Sequence, residues 1–193
     1  MKLFKFFTLT LLLSLSMGFS GGDNYILDKN YKVTIHGTSN HDDWDETVGK
    51  VTGSGSVNIN SDESFDLNAL RIVMNVRSIK SKSSVMADKT FMALKADAHP
   101  EISFTLTSPL KSVRAASAGS TISAKGNLTI AGVKKAVTLQ AKVSMPKHGT
   151  LLFEGSESIK MTDYGISPPT ALFGMMKTGD VITLHFKTSF TNR

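Results

Sequence analysis

The sequence predicts an all-β fold, an antiparallel β-barrel of about eight strands with one short mid-chain helix. Three observations point there. From residue 23 onward apolar and polar residues alternate with a period of two, turn-rich breaks separate the alternating runs, and one segment alone switches to helical spacing. The 193 residues, 40% hydrophobic and 20% charged, suffice for one domain with its own core. The absence of cysteine excludes disulfide scaffolds, thiolate metal sites and cysteine nucleophiles. A formal net charge of +6, spread evenly, gives no nucleic-acid signature.

Residues 1–22 read as an export signal. Lys2 and Lys5 form a positive start, Phe6 to Leu15 an apolar run, and Gly18, Ser20, Gly21 and Gly22 the small residues a cleavage site requires. The alternative, an uncleaved membrane anchor, needs a longer apolar run than this one. The domain is then residues 23–193, expected to be soluble and periplasmic or secreted. Within it Tyr31, Val33 and Ile35 alternate with Lys32, Thr34 and His36. Val51, Gly53, Gly55, Val57 and Ile59 share a face. Leu70, Ile72, Met74 and Val76 form the next apolar row, followed by Ile102, Phe104 and Leu106, by Val137, Leu139, Ala141 and Val143, and by Ile182, Leu184 and Phe186. Each row is the buried face of a half-wet antiparallel strand. Breaks are expected at Asn60–Ser64, Ser117–Ser120, Lys147–Thr150 and Lys177–Asp180.

From Ser84 to Ala98 the apolar residues Ala87, Phe91, Leu94 and Ala98 fall on one helical stripe. Ser84 supplies a cap, Asp88 suits the positive end, and Pro100 follows the run. A barrel uses such a helix to close an end, whereas a sandwich has little need of one. An eight-stranded barrel is either filled by its side chains or holds one small ligand. Periodicity is equally compatible with both.

Candidate chemistry is sparse. His36, His41, His99, His148 and His185 show no metal-ligand spacing. His36 and His41 with Asp42, Asp43, Asp45 and Glu46 around Trp44 form the one dense donor cluster. It reads first as a solvated acidic loop and alternatively as the site of a metal-binding protein or metal-dependent hydrolase. No nucleophile elbow is present, and Gly53-Ser54-Gly55 reads as a strand whose glycines permit close backbone approach. No enzyme and no cofactor are expected. Met86, Met92, Met175 and Met176 lie in the non-strand segments, the last two beside Pro168, Pro169, Leu172 and Phe173. Methionines of this kind suit an adaptable apolar entrance, ahead of the alternative that they plug the barrel end as ordinary core.

Four segments in order carry a family resemblance. They are SIKS (Ser78 to Ser81), HPEISF (His99 to Phe104), GNLTIAGVKKAVTL (Gly126 to Leu139), and TDYGI (Thr162 to Ile166) with GDVITLHF (Gly179 to Phe186). Together they resemble the YceI-like family of exported, lipocalin-like barrels associated with polyisoprenoid and other lipid binding. Two departures stand out. The segment Ile35 to Gly55 does not follow the family pattern, and Met86-Ala87-Asp88-Lys89 stands where relatives commonly carry an Arg-Asp pair. The resemblance implies an internal cavity for a long-chain lipid or isoprenoid ligand. The tail is expected against Leu70, Ile72, Met74, Phe104, Leu139, Leu184 and Phe186, with Phe91, Met92, Leu94, Phe173 and Met176 at the mouth. Lys80, Lys82, Lys89 and Lys95 are candidates for an anionic headgroup or a transient membrane-surface contact. No nucleic-acid partner is expected, and the sequence does not specify an oligomeric state.

Overall fold

A computed structural model describes residues 22–115 and 119–193. The strands are β1 (Asp23–Leu27), β2 (Lys32–Ser39), β3 (Trp44–Val48), β4 (Val51–Ile59), β5 (Ser64–Asn75), β6 (Ile79–Lys80), β7 (Glu101–Leu106), β8 (Leu110–Arg114), β9 (Ser120–Ile130), β10 (Val133–Lys147), β11 (Thr150–Lys160), β12 (Thr170–Ala171) and β13 (Met176–Asn192). The helix α1 (Ser84–Ala93) lies between β6 and β7. Eight strands close a barrel in the order β1-β4-β5-β7-β9-β10-β11-β13, with β13 returning to β1. β13 is long enough to serve two neighbours on one edge. It pairs with β1 through Phe190–Asn192 and with β2 through Thr178–Lys187, so β2 and then β3 extend the wall at the other end.

The interior divides along its length. Around β1, the starts of β5 and β11 and the end of β13, Tyr25, Val57, Phe65, Leu67, Val143, Leu151 and Phe190 are almost completely buried. Phe153 and Phe190 meet edge to face with centroids 5.8 Å apart. That end is solid. A bulge in β5 explains how one strand serves both halves. Ser56 pairs with Ala69 and Val57 with Leu67, leaving Asn68 unopposed, and the apolar row passes from Phe65 and Leu67 to Leu70, Ile72 and Met74.

The turns at Asn60–Ser64 and Lys147–Thr150 form as expected. The break expected at Lys177–Asp180 is instead a bulge within the continuous β13, where the pairing with β2 shifts register between Thr178 and Ile182. Asp180 does not turn the chain. Its carboxylate accepts from the Thr162 backbone N–H at 2.9 Å and the Thr162 hydroxyl at 2.7 Å. The export signal lies outside the described residues, apart from Gly22, as does the first half of the break at Ser117–Ser120.

The helix is shorter than its spacing predicts, ending at Ala93 rather than Ala98. Lys95 adopts a left-handed φ of 53°. The Ala96 N–H donates to Phe91 O at 2.9 Å and the Lys95 N–H to Met92 O at 3.1 Å, which is a Schellman stop. Ser83 rather than Ser84 caps the start, its hydroxyl accepting from the Met86 N–H at 3.2 Å.

Candidate functional site

The other end of the barrel is hollow. A cavity of about 560 Å³ lies under α1, walled mainly by Val48, Met74, Ile102, Leu128, Ile130, Ile159, Ile182 and Leu184. This volume falls in the range of small-molecule sites. α1 covers it with Met86, Lys89, Thr90 and Ala93, and Leu94 follows at the helix end. The covering stripe is rotated from the expected Ala87-Phe91-Leu94-Ala98 row because two polar contacts fix the helix. Thr90 Oγ1 donates to Glu46 Oε1 at 2.7 Å, and Lys89 Nζ donates to Thr170 O at 2.6 Å.

Strand alternation on β3 sends Trp44, Glu46 and Val48 to the cavity and Asp45 and Thr47 away from it. Glu46 is only 2% exposed, in an otherwise oily wall. Its Oε1 accepts from both the Thr90 and the Ser81 hydroxyls. Burial holds its pKa above the ordinary glutamate range, and the two hydroxyl donors offset only part of that rise. Trp44 lies flat against Gly37, where a Cβ would collide with the indole ring. Its Nε1 donates to Thr38 O at 3.3 Å.

The rim joins α1 to the segment before β13. Asn40 fastens that segment, donating from Nδ2 to Met175 O and accepting at Oδ1 from the Lys177 N–H, both at 2.8 Å. Lys82, Lys89 and Lys177 reach the opening, with Asp42 and Asp43 facing them. Around it Val85, Met92 and Met175 are exposed, and Phe173 is completely so at a left-handed φ of 54°.

Of the residues expected to contact a ligand, Met74, Leu94, Met176 and Leu184 line the cavity. Phe104 belongs to the buried core with its ring against Gly126, and Phe186 packs on Gly155. Leu70, Ile72 and Leu139 also pack against that core rather than on the cavity. Period-two alternation tells which way a side chain faces but carries no information about depth along the barrel, and these residues lie toward the filled end. Phe91 sits beneath Arg77, whose Cζ is 5.5 Å from the ring centroid, and Met92 and Phe173 face outward. Lys80 and Lys95 do not reach the cavity. The inward place of Glu46 was readable from its i±2 spacing to Trp44 and Val48, but the surrounding charges disguised that strand as a loop.

The same alternation disperses the histidine and acid cluster. His36 Nδ1 and Asp45 Oδ1 pair at 2.9 Å across β2 and β3, His41 and Asp42 meet at 3.4 Å in the connecting turn, and Glu46 points inward. Among the described residues no three histidine or acidic side chains converge as metal ligands.

Solved structures share the fold. BcnA of Burkholderia cenocepacia is 17% identical with a TM-score of 0.64, the match covering 84% of this chain and 98% of that one. A polyisoprenoid binding domain from Saccharophagus degradans, implicated in plant cell wall breakdown, is 12% identical with a TM-score of 0.67, covering 88% and 98%. The Campylobacter jejuni YCEI protein is 22% identical with a TM-score of 0.53, covering 75% and 85%. No curated protein sequence matches the chain. The YceI-like domain model matches residues 25–190, and the chain belongs to the YceI-like family.

Proposed function

We propose that this protein carries one long-chain amphiphile, of polyisoprenoid, quinone or fatty-acyl type, in the hollow half of its barrel, and that it does so outside the cytoplasmic membrane. The observation that carries this reading is the apolar cavity of about 560 Å³, walled by Met74, Ile102, Leu128 and Leu184. Water inside such walls has few polar partners, whereas a hydrocarbon tail gains about 0.8 kcal/mol per buried methylene. For roughly sixteen carbons the gross gain is about 13 kcal/mol, before the costs of ordering the ligand. The polyisoprenoid binding named for the Saccharophagus degradans domain agrees with this class of ligand.

Residues 1–22 would direct the chain to the periplasm or beyond. At a membrane, Phe173, Met175, Val85 and Met92 would dip into the lipid, while Lys82, Lys89 and Lys177 meet anionic headgroups. No catalytic step is needed. The test is mass spectrometry of an organic extract of protein purified from its native compartment. One long-chain lipid per chain is expected; no lipid, together with no binding of neutral lipophilic fluorophores, would overturn the reading.

A further inference from the structure

The hollow half contains one acid whose purpose the tail does not explain. Glu46 is 2% exposed and lines the cavity, yet both hydrogen bonds given to it, from Ser81 and Thr90, end on Oε1. Among the described residues no donor is bonded to Oε2, and no Lys, Arg or His lies within ion-pair distance of the carboxyl. Nor is Oε2 sealed in packed protein. The sealed, unpartnered side-chain polar atom among the described residues is Ser56 Oγ. Oε2 therefore opens onto the cavity itself.

An acid in this position selects by charge and by hydrogen-bonding sense. In its ionised form Glu46 has a spare lone pair on Oε2 that gains from a donor, and it repels a second anion strongly where little water screens them. The lysines do not reverse that preference. Lys89 spends a donor on Thr170 O, and Lys82 and Lys177 stand at the rim without pairing to Glu46.

We infer that Glu46 is the headgroup receptor of the cavity, and that the ligand it selects is an uncharged long-chain amphiphile with a hydrogen-bond-donating head, a hydroxyl or a primary amide, in preference to a carboxylate or phosphate. This rests on the carrier reading above and narrows it. The head would lie inward beside Ser81 and Thr90, not outward at the lysine rim.

The test uses delipidated wild-type chain and Glu46→Gln in buffer alkaline enough to ionise Glu46 despite its raised pKa, competing hexadecane, hexadecanol, hexadecanamide, hexadecanoate and hexadecyl phosphate against a neutral lipophilic fluorophore. Glutamine keeps the shape and still accepts from Ser81 and Thr90, but it turns a donating amide toward the cavity. In the wild type the alcohol and amide should bind about tenfold or more tightly than the two anions. In Glu46→Gln that ratio should collapse or invert while hexadecane binding holds, which also shows that the barrel is intact. Equal binding of all heads to both proteins, or preference for the anions in the wild type, would overturn the inference and leave the carrier reading standing. If even hexadecane fails to bind the wild type, both fall together.

Discussion

The indole of Trp44 lies directly on Gly37, held there by its hydrogen bond to Thr38 O and exposed on its other side to the cavity. The pairing of Gly37 with Trp44 across β2 and β3 therefore places the single tryptophan of the chain where a ligand would touch it. Adding a long-chain alcohol to delipidated protein should shift tryptophan emission to shorter wavelength and saturate at one equivalent. In Gly37→Ala the new methyl displaces the ring, so the unliganded emission should already differ and the ligand-dependent change should shrink. An unmoved emission on saturation would place the ligand elsewhere.

Leu184 projects into the same space from β13, opposite Ile35 on β2. Leu184→Arg drives a long cationic side chain across the apolar space, where it fills the room for a tail and reaches toward Glu46, two strands away through Ile35. Ligand retention, measured by extraction and mass spectrometry, should fall at least tenfold. The result counts where far-ultraviolet circular dichroism retains the strand signal. A folded variant that retains its lipid would contradict the cavity assignment.

Glu46 also predicts the direction of a pH effect. Its folded pKa is raised by burial, so the native state holds this proton more tightly than the unfolded chain does. Its contribution to stability is complete below the ordinary glutamate pKa of about 4.3 and is lost as pH rises through the elevated folded value. Glu157 is shifted the same way by burial, whereas Asp62, Asp66 and Asp180 are lowered by hydrogen bonds and act only in more acidic solution. Thermal unfolding followed upward from about pH 4.5 should show a declining midpoint in the wild type and a shallower decline in Glu46→Gln. Identical slopes would mean that Glu46 titrates normally.

What was legible in the chain follows from the reach of each signal. Alternation in Leu70-Ile72-Met74 and Ile182-Leu184-Phe186 identified strands and their inner faces, because side-chain direction is a local property. The hollow depends instead on residues far apart in sequence, such as Met74, Leu128 and Ile159, and on which of them lie at one end. The helix rotation was hidden for a related reason. Thr90 reaches Glu46, forty-four positions earlier, and the apolar stripe of α1 carries no trace of that bond. Lys95 likewise ends the helix in a left-handed conformation that glycine more often supplies.

The rim makes a kinetic prediction. Phe173 and Met175 are exposed beside the opening but do not wall the cavity. Replacing both by serine should leave equilibrium affinity for a soluble amphiphile within about twofold, yet slow transfer of a fluorescent lipid from anionic vesicles severalfold. Salt should slow the wild-type transfer as well, through screening of Lys82 and Lys177. Unchanged transfer by the double variant would remove these side chains from membrane uptake.

The solid end of the barrel bears on what a chain without ligand would keep. Tyr25, Phe65, Leu151, Phe153 and Phe190 are buried in the protein's own core, the last two ring against ring, and none of the five lines the cavity. Under the proposed carrier role, discharging a cargo would therefore leave the foundation of the container intact, and the emptied chain would remain a shaped receptacle that can be loaded again without first having to refold.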